Sequence, residues 1–301
     1  MTPDPAFIVG VGRSGSSIFH RIMCRHPDVA WLSRVLERKP ARPAWNRLLM
    51  RAIDVPLVGP WLADHIEPSE CYAYWNRLYP GFSEPARDLV GGDVTNDVRA
   101  RVQAALGAQR TARRTQLLVK ITGWPRLGFL HRVFPDAKFI HILRDGRPVA
   151  ASFLKVAWWG GWRGPFTWRY GTLTPEQDAE WRRHDRSFVS LAGIQWKILM
   201  DAMEEAKRAC PSASVLEIKY EDVCADPIAH FRHATEFIGL SWTARFERAV
   251  REATLRCENT KWRHDFTVEQ QHSLEAVLAG HLARYGYETD NPTAQRVTMF
   301  A

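Results

Sequence analysis

A glycine- and serine-rich turn near the start of the sequence has the composition of an anion-binding loop. It lies between an apolar, strand-like segment and an apolar helical segment, and it consists of Gly10, Val11, Gly12, Arg13, Ser14, Gly15, Ser16 and Ser17. Backbone N–H groups at the start of a helix, together with the helix dipole, attract phosphate and sulfate groups. The guanidinium of Arg13 can donate further hydrogen bonds to such an oxyanion. We therefore predict that this loop binds a phosphate group.

The loop differs from the one that binds nucleoside triphosphates. That loop has the pattern GxxxxGK[ST], and the spacing from Gly10 to Gly15 fits it, but Ser16 occupies the lysine position. The lysine normally reaches the β- and γ-phosphates. We predict a phosphate site here, but not a site for the terminal phosphates of ATP.

The elements that position this loop follow an alternating pattern. Strand-like segments at 7–11, 117–121, 138–143 and 214–220 alternate with helical patterns at 16–25, 146–155, 176–209 and 227–238. Such alternation predicts an α/β fold with three layers, in which helices flank a mainly parallel sheet. We expect a single domain over residues 1–301. Stretches at about 36–89 and 158–175 interrupt the alternation, and we predict that they are insertions covering the site.

The composition limits the classes of protein without selecting one. The net charge of +8 allows nucleic acid, an acidic membrane surface or a small polyanion as partner. No apolar run reaches the roughly 20 residues of a bilayer-spanning helix, and no signal peptide is evident, so we expect a cytoplasmic protein. The five cysteines form no CxxC pair, which argues against a zinc site.

Several runs of sequence, in order, resemble the sulfotransferase superfamily that uses 3'-phosphoadenosine 5'-phosphosulfate (PAPS). The branch with tyrosylprotein sulfotransferases and many bacterial enzymes is the most similar. The run RSGSS from Arg13 is similar to the family's loop for the 5'-phosphosulfate, and HPDV from His26 also resembles that branch. The later runs are FPDAKFIHILRDGRPVAAS from Phe134, VLEIKYED from Val215 and ENTKWR from Glu258.

The resemblance implies positions for the rest of the cofactor site. Arg144 and Ser152 match the family's residues for the 3'-phosphate, and Tyr220 is expected near the adenosine or that phosphate. An arginine at a strand's carboxyl end and a hydroxyl on the next helix can converge on one phosphate. Lys261 matches a lysine that contacts the cofactor phosphates. The resemblance implies no metal.

The resemblance also implies catalytic roles, since sulfuryl transfer places charge on the leaving phosphate and on the equatorial oxygens. We expect Arg13 and Lys120 to stabilise this charge. The tyrosylprotein enzymes carry a glutamate where this chain has Leu32-Ser33-Arg34, which argues against a protein tyrosine acceptor. We predict Glu70 as the general base. The alternatives that remain are Glu37, His20 and Asp93.

The acceptor is not determined by the sequence. A carbohydrate, a lipid or a small molecule could supply the hydroxyl, and residues 158–170, rich in tryptophan, are predicted to form a mobile wall around it. A buried structural plug is the alternative for this segment. Two other functions stay open. One is a nucleotide kinase, and the other is a basic module that binds nucleic acid or a membrane surface, although no nucleic-acid motif accompanies the charge.

Overall fold

The computed structural model describes residues 3–83, 86–166 and 168–288. The predictions for residues 1–301, 36–89 and 158–170 therefore include some residues outside the described ranges. The strands are β1 (Ala6–Gly10), β2 (Val29–Trp31), β3 (Gln116–Thr122), β4 (Lys138–Leu143) and β5 (Val215–Lys219). The helices of the first half are α1 (Ser16–Met23), α2 (Arg34–Arg38), α3 (Pro43–Ala52), α4 (Gly59–His65), α5 (Tyr72–Leu78), α6 (Asn96–Gly107) and α7 (Leu127–Val133).

The second half is mainly helical. Its helices are α8 (Gly146–Phe153), α9 (Pro175–Arg183), α10 (Phe188–Lys207), α11 (Tyr220–Ala225), α12 (Pro227–Phe237), α13 (Ala244–Arg251), α14 (Trp262–Asp265) and α15 (Val268–Arg284). Short 3-10 turns lie at Gly91–Asp93, Gly160–Arg163 and Ser212–Ser214. No helix of the described residues combines the length and the apolar character that crossing a membrane requires.

The five strands form one parallel sheet in the order β2-β3-β1-β4-β5. Because β1 lies between β3 and β4, the loop that leaves β1 faces the carboxyl ends of both neighbours. Strand order reverses on either side of β1, and open α/β sheets bind ligands at such a point. The topology therefore places the glycine-rich loop at the natural ligand site of the sheet.

Helices cover both faces of the sheet, which explains why its central strands are apolar throughout. Successive side chains of a strand point to opposite faces. Phe7 and Val9 pack with the face that carries α5, α6 and α7, whereas Ala6 and Ile8 pack with the face that carries α1, α12 and α13. The predicted α/β fold with a parallel sheet between helices is confirmed.

The structure corrects two details of the sequence prediction. The single helix predicted at 176–209 is divided into α9 and α10, because Asp185 and Arg186 adopt left-handed backbone angles and Ser187 caps the second helix. The short edge strand β2 was not predicted. It has only three residues, too few to produce a recognisable alternation.

Candidate active site

The loop between β1 and α1 approaches its neighbours closely through glycine. Gly15 has a φ of 89°, and a Cβ at this position would lie 2.2 Å from the ring of Tyr220. Only glycine adopts this conformation easily and also leaves room for that ring. The Ser14 hydroxyl in the same turn is buried and has no hydrogen-bond partner among the described residues. A cradle with a free buried hydroxyl fits a bound oxyanion.

The loop arginine is already held by the helix that follows β4. Arg13 has a φ of 72°, and its Nε donates a hydrogen bond of 2.8 Å to Ser152 Oγ on α8. Arg144, directly after β4, donates from Nη1 to the backbone oxygen of Arg13 over 3.4 Å. The structure thus brings together three residues that the sequence predicted for the two phosphates of one cofactor.

Lys120 on β3 joins this loop to a carboxylate. Its Nζ donates to Ser17 Oγ at 2.8 Å and lies 2.6 Å from Glu70 Oε1. The side chains of Lys120 and Glu70 are 9% and 17% exposed, so the ion pair is largely shielded from water. A shielded charge interacts more strongly with a neighbouring group than a solvated one. The ammonium group can therefore stabilise negative charge at the loop.

Two further side chains orient Glu70. Thr122 Oγ1 donates to both carboxylate oxygens, at 2.9 and 3.1 Å. Tyr72 OH donates to the Thr122 backbone oxygen at 2.6 Å and accepts from the Thr122 N–H at 3.2 Å. Burial, reinforced by the charge of Glu70, raises the pKa of Tyr72 well above its usual value. Tyr72 thus remains a neutral hydrogen-bonding group.

Arg144 is oriented by a short polar network. Its Nε and Nη2 donate to Asn259 Oδ1 at 3.2 and 3.1 Å, and Asn259 Nδ2 donates to Glu221 Oε1 at 2.8 Å. The guanidinium also lies 5.1 Å from the centroid of the Tyr220 ring. Tyr220 is buried and donates to the backbone oxygen of Arg256 at 3.2 Å. These contacts hold a cation and an aromatic face beside the loop.

Two cavities meet at the ion pair between Lys120 and Glu70. The first has a volume of 430 Å³ and includes Arg13 of the loop, whereas the second has a volume of 570 Å³ and lies towards α2. Both are lined by Ser17, Glu70, Tyr72 and Lys120. A reacting group at this junction would touch the loop, the ammonium and the carboxylate together.

The aromatic segment forms part of the wall of the first cavity. Trp158 lines the cavity and is 59% exposed, while Trp159 also lines it but is buried against the core. Trp168 is buried as well, and Phe166 is exposed. Part of the segment thus lines the cavity and part is buried in the core, while its mobility stays a prediction and residue 167 lies outside the described residues.

The second cavity contains two of the alternative base residues. His20 is buried, and its Nε2 lies 3.4 Å from the Leu118 backbone oxygen. Burial, with a smaller contribution from the charge of Lys120, lowers the pKa of His20 to about 3. Glu37 also lines this cavity, and its Oε2 is buried without a hydrogen-bond partner among the described residues. His20 is thus neutral, and Glu37 has an oxygen free to accept.

Two predicted residues, Lys261 and Asp93, take no part in the contacts of the loop or of the ion pair described above. Lys261 is exposed, lies 3.3 Å from Glu258 and lines neither cavity. Asp93 forms an ion pair with Arg87, and it accepts from the Val90 N–H within a 3-10 turn. It also lines neither cavity.

Sequence reasoning missed several residues that complete the site. Thr122 follows Lys120 by two positions, so the period of the strand could have placed both on one face. Asn259 lies in the run that was singled out for Lys261, yet the amide is the residue that reaches Arg144. Trp124, Arg126 and Arg169 of the first cavity belong to loops, and no sequence period marks them.

Comparison with known proteins agrees with this geometry. Residues 5–244 match a protein-family model described as "Sulfotransferase family". A relative from Mycobacterium bovis, omega-hydroxy-beta-dihydromenaquinone-9 sulfotransferase Stf3, is 24% identical over 192 residues, which are 62% of this chain and 44% of the relative. Protein-tyrosine sulfotransferase A from Caenorhabditis elegans is 23% identical over 237 residues, which are 78% of this chain and 50% of the relative. The chain thus spans about half the length of these relatives.

Solved structures support the fold. The crystal structure of sulfotransferase STF9 from Mycobacterium avium matches with a TM-score of 0.60 and 17% sequence identity. The match covers 97% of this chain and 79% of the other. At this identity the likeness concerns the fold alone.

Proposed function

Because this chain belongs to the sulfotransferase family, we propose that it transfers the sulfuryl group of PAPS to an acceptor hydroxyl. The observation that carries the proposal is the position of Lys120, whose Nζ contacts Ser17 of the loop and Glu70 of the cavity at the same time. A cation between an anion-binding loop and a carboxylate can stabilise the charge that develops while a sulfuryl group leaves its phosphate at the loop and the carboxylate accepts the proton of the attacking hydroxyl.

The donor is assigned to the loop and to the ends of β4 and β5. In this proposal Gly12, Ser14 and Gly15 supply the backbone of the cradle, and Ser16 and Ser17 begin the helix that faces the 5'-phosphosulfate. Arg144 and Ser152 bind the 3'-phosphate, and Tyr220 lies against the nucleoside. The hydrogen bonds and ring contact that connect these side chains support the assignment.

Lys261 belongs to the donor assignment on resemblance alone. Its ammonium group is exposed and paired with Glu258, so it would have to leave that pair to contact a phosphate. Asn259 in the same run already lies against Arg144. We therefore propose Asn259 as the residue that orients the arginine, with Lys261 as a more distant phosphate contact.

The transfer itself requires charge stabilisation and removal of one proton. PAPS supplies a sulfuryl group whose bond to the 5'-phosphate breaks as the acceptor oxygen attacks sulfur. Arg13 and Lys120 then stabilise the negative charge on the departing phosphate and on the sulfuryl oxygens. Glu70 accepts the hydroxyl proton at a carboxylate oxygen, which Thr122 and Lys120 hold in place. We expect no metal requirement.

The acceptor is assigned to the two cavities around Glu70. The names of the relatives indicate omega-hydroxy-beta-dihydromenaquinone-9 as the acceptor in one case and a protein tyrosine in the other. Each of these acceptors offers a hydroxyl group, but the molecules that carry the hydroxyl are different. For this chain we propose a carbohydrate, lipid or small-molecule hydroxyl, with the rings of Trp158 and Tyr170 packing against its apolar part.

The experiment that tests this function follows the sulfur atom. The protein is incubated without added metal, with PAPS labelled with radioactive sulfur and an extract of small molecules and lipids. We expect a labelled product that is absent with Lys120→Ala and present with Lys138→Ala, a lysine at the opposite end of the sheet. Absence of any labelled product, combined with failure to bind PAP, the product nucleotide 3'-phosphoadenosine 5'-phosphate, would contradict the proposal.

A further inference from the structure

Helices α3 and α4 and the turn between them expose an unusual amount of apolar surface. We call this region the α3–α4 surface. Leu57 is 96% exposed and Trp61 is 59% exposed. Of the large apolar side chains exposed in the described part of the chain, half lie within this single stretch, and they are Trp45, Leu48, Val55, Leu57, Val58 and Trp61. Single exposed apolar residues are ordinary, but a contiguous group marks an interaction surface.

The core of the protein does not use these side chains. The inner face of the same segment packs through Met50 and Ile53 against Trp31, with Leu49 and Leu62 beside them. The two helices are therefore anchored by one apolar face and present a second one to the solvent. Folding alone explains the first face and leaves the second without a partner.

A group of cations borders the exposed face. Between Arg38 and Ile53 the chain has five basic residues and no acidic one. All five are exposed, and none forms an ion pair with a carboxylate within the described ranges; they are Arg38, Lys39, Arg42, Arg47 and Arg51. By contrast, the nearby Arg25 and Arg34 pair with Asp64 and Glu67. The unpaired cations complement a surface with many negative charges.

We propose that the α3–α4 surface docks on a lipid bilayer that contains anionic lipids. Helices that lie in a membrane interface combine tryptophan and leucine on one side with lysine and arginine on the other. Tryptophan rings favour the depth of the lipid headgroups, and long basic side chains extend to the phosphates. Arg42, whose guanidinium lies 4.8 Å from the ring centroid of Trp45, joins both features in one contact.

The docked surface is continuous with the second cavity. Helix α2 ends at Arg38, which belongs to the basic group and also lines that cavity together with Arg34 and Glu37. Docking would therefore hold the cavity that reaches Lys120 and Glu70 close to the headgroups. The proposal is independent of the transferred group, because it rests on the outer surface and not on the site.

Co-sedimentation with lipid vesicles tests the proposal without any enzyme assay. The purified chain is mixed with vesicles of phosphatidylcholine alone or of phosphatidylcholine with phosphatidylglycerol. We expect binding to the anionic vesicles, weakening as salt is added, and little binding to the neutral ones. The double variant Arg47→Glu/Arg51→Glu should weaken binding to anionic vesicles by more than about 30-fold, since it removes two positive charges and adds two negative ones.

A second variant tests the contribution of the exposed apolar side chains of the α3–α4 surface to vesicle binding. Leu57→Asp combined with Trp61→Asp should weaken vesicle binding by about tenfold or more, since it removes the inserted side chains. Leu57 has a φ of 71°, which aspartate tolerates better than leucine, so folding should not suffer at that position. Unchanged thermal unfolding and PAP binding confirm that each variant is folded.

Matched controls lie on helices other than α3 and α4. Val268→Asp removes an exposed apolar side chain of α15, and Arg245→Glu/Arg248→Glu reverses two exposed charges of α13. Both should bind vesicles like the wild type. The proposal is overturned if the wild type does not bind anionic vesicles or if the control and test variants bind equally. It is also overturned if sedimentation shows a wild-type dimer that the Leu57→Asp/Trp61→Asp variant dissociates.

Discussion

The loop half and the cavity half of the site are built in different ways. In the loop half, the residues lie just after a strand of the central sheet or on the helix that follows it. Arg144 comes after the last residue of β4, Tyr220 after that of β5, and Arg13 three residues beyond β1. In the cavity half, Glu70 precedes a short helix, and Trp158 and Tyr170 belong to a long connection. Hydrogen bonds of the sheet fix the first group, and side-chain packing positions the second.

The two modes of construction suit two different tasks, which are binding of a constant donor and binding of a variable acceptor. Parallel strands hold their carboxyl ends in a fixed arrangement, whereas loops tolerate changes of sequence and carry binding specificity. The loop half is therefore suited to one donor, and the cavity half to whichever acceptor the chain uses. Changes in the loop half should lower turnover with every acceptor, and changes in the cavity half should depend on the acceptor.

The largest effect is expected where the two halves meet. Lys120→Ala and Arg13→Ala should each lower turnover by about two to three orders of magnitude, as loss of comparable charge-stabilising donors does in other enzymes. The apparent affinity for the acceptor should change much less. Steady-state kinetics with the acceptor identified by sulfur labelling measures both quantities. Turnover within a few-fold of wild type would remove these residues from the transition state.

The next effect concerns the carboxylate of the cavity half. Glu70→Gln keeps the size of the side chain and removes its basicity, so the transfer step should slow by about two orders of magnitude while PAP binding stays nearly intact. In single-turnover rates measured against pH, the acidic limb should disappear in the variant.

Glu37→Gln is the matched comparison for that experiment. Glu37 lines the second cavity only, and its free oxygen could accept a proton if Glu70 did not. We expect the pH–rate profile of the Glu37→Gln enzyme to keep the acidic limb of the wild type. If the Glu70→Gln enzyme has normal turnover and an unchanged acidic limb in its pH–rate profile, Glu70 is not the base, and Glu37 becomes the candidate.

A smaller effect is expected within the loop half. Arg144→Ala removes a charged hydrogen-bond donor from the predicted 3'-phosphate site, which should cost about 1.5 to 3 kcal/mol of PAP binding. Calorimetric titration measures this loss. Arg248→Ala, on the exposed surface of α13, is the control and should bind PAP like the wild type. Equal binding by both variants would place the 3'-phosphate elsewhere.

The smallest effect concerns stability beneath the second cavity. Burial and the neighbouring Lys120 lower the pKa of His20 to about 3, against 6.5 for an exposed histidine. The folded state therefore resists protonation, and stability is lost as pH falls from 6.5 towards 3. Between about pH 7 and pH 5, wild type should lose about 1–2 kcal/mol more than His20→Gln.

Urea unfolding at a series of pH values measures that difference. His272→Gln replaces an exposed histidine of α15 and should follow the wild type at every pH. If the His20→Gln and wild-type curves fall in parallel, His20 is not held neutral by its burial.

The sequence predicted the loop half better than the cavity half, for a physical reason. The loop, Arg144 and Ser152 each lie beside a strand or on the helix after it, and the order of strands then determines that they meet. The structure brings them together as expected, while their roles in binding stay predictions. Lys120 was identified from the resemblance to the family, and it lies near the end of β3.

The cavity half depends on contacts that no local pattern encodes. Glu70 meets Lys120 across 50 residues of chain, and Thr122 and Tyr72 orient it through hydrogen bonds that only the folded chain brings within reach. The run around Lys261 was found, but the exact residue that turns inward, Asn259, was not. Where side-chain packing determines the direction of a residue, sequence reasoning gave the segment and missed the contact.

The most direct test of the account is nucleotide discrimination by the loop half. Calorimetry without added metal compares PAP with adenosine 5'-phosphate, which lacks only the 3'-phosphate. We predict that PAP binds more tightly by about tenfold or more, and that Arg144→Ala removes most of this preference. Equal affinity for the two nucleotides, or binding of ATP with magnesium in place of PAP, would contradict the account.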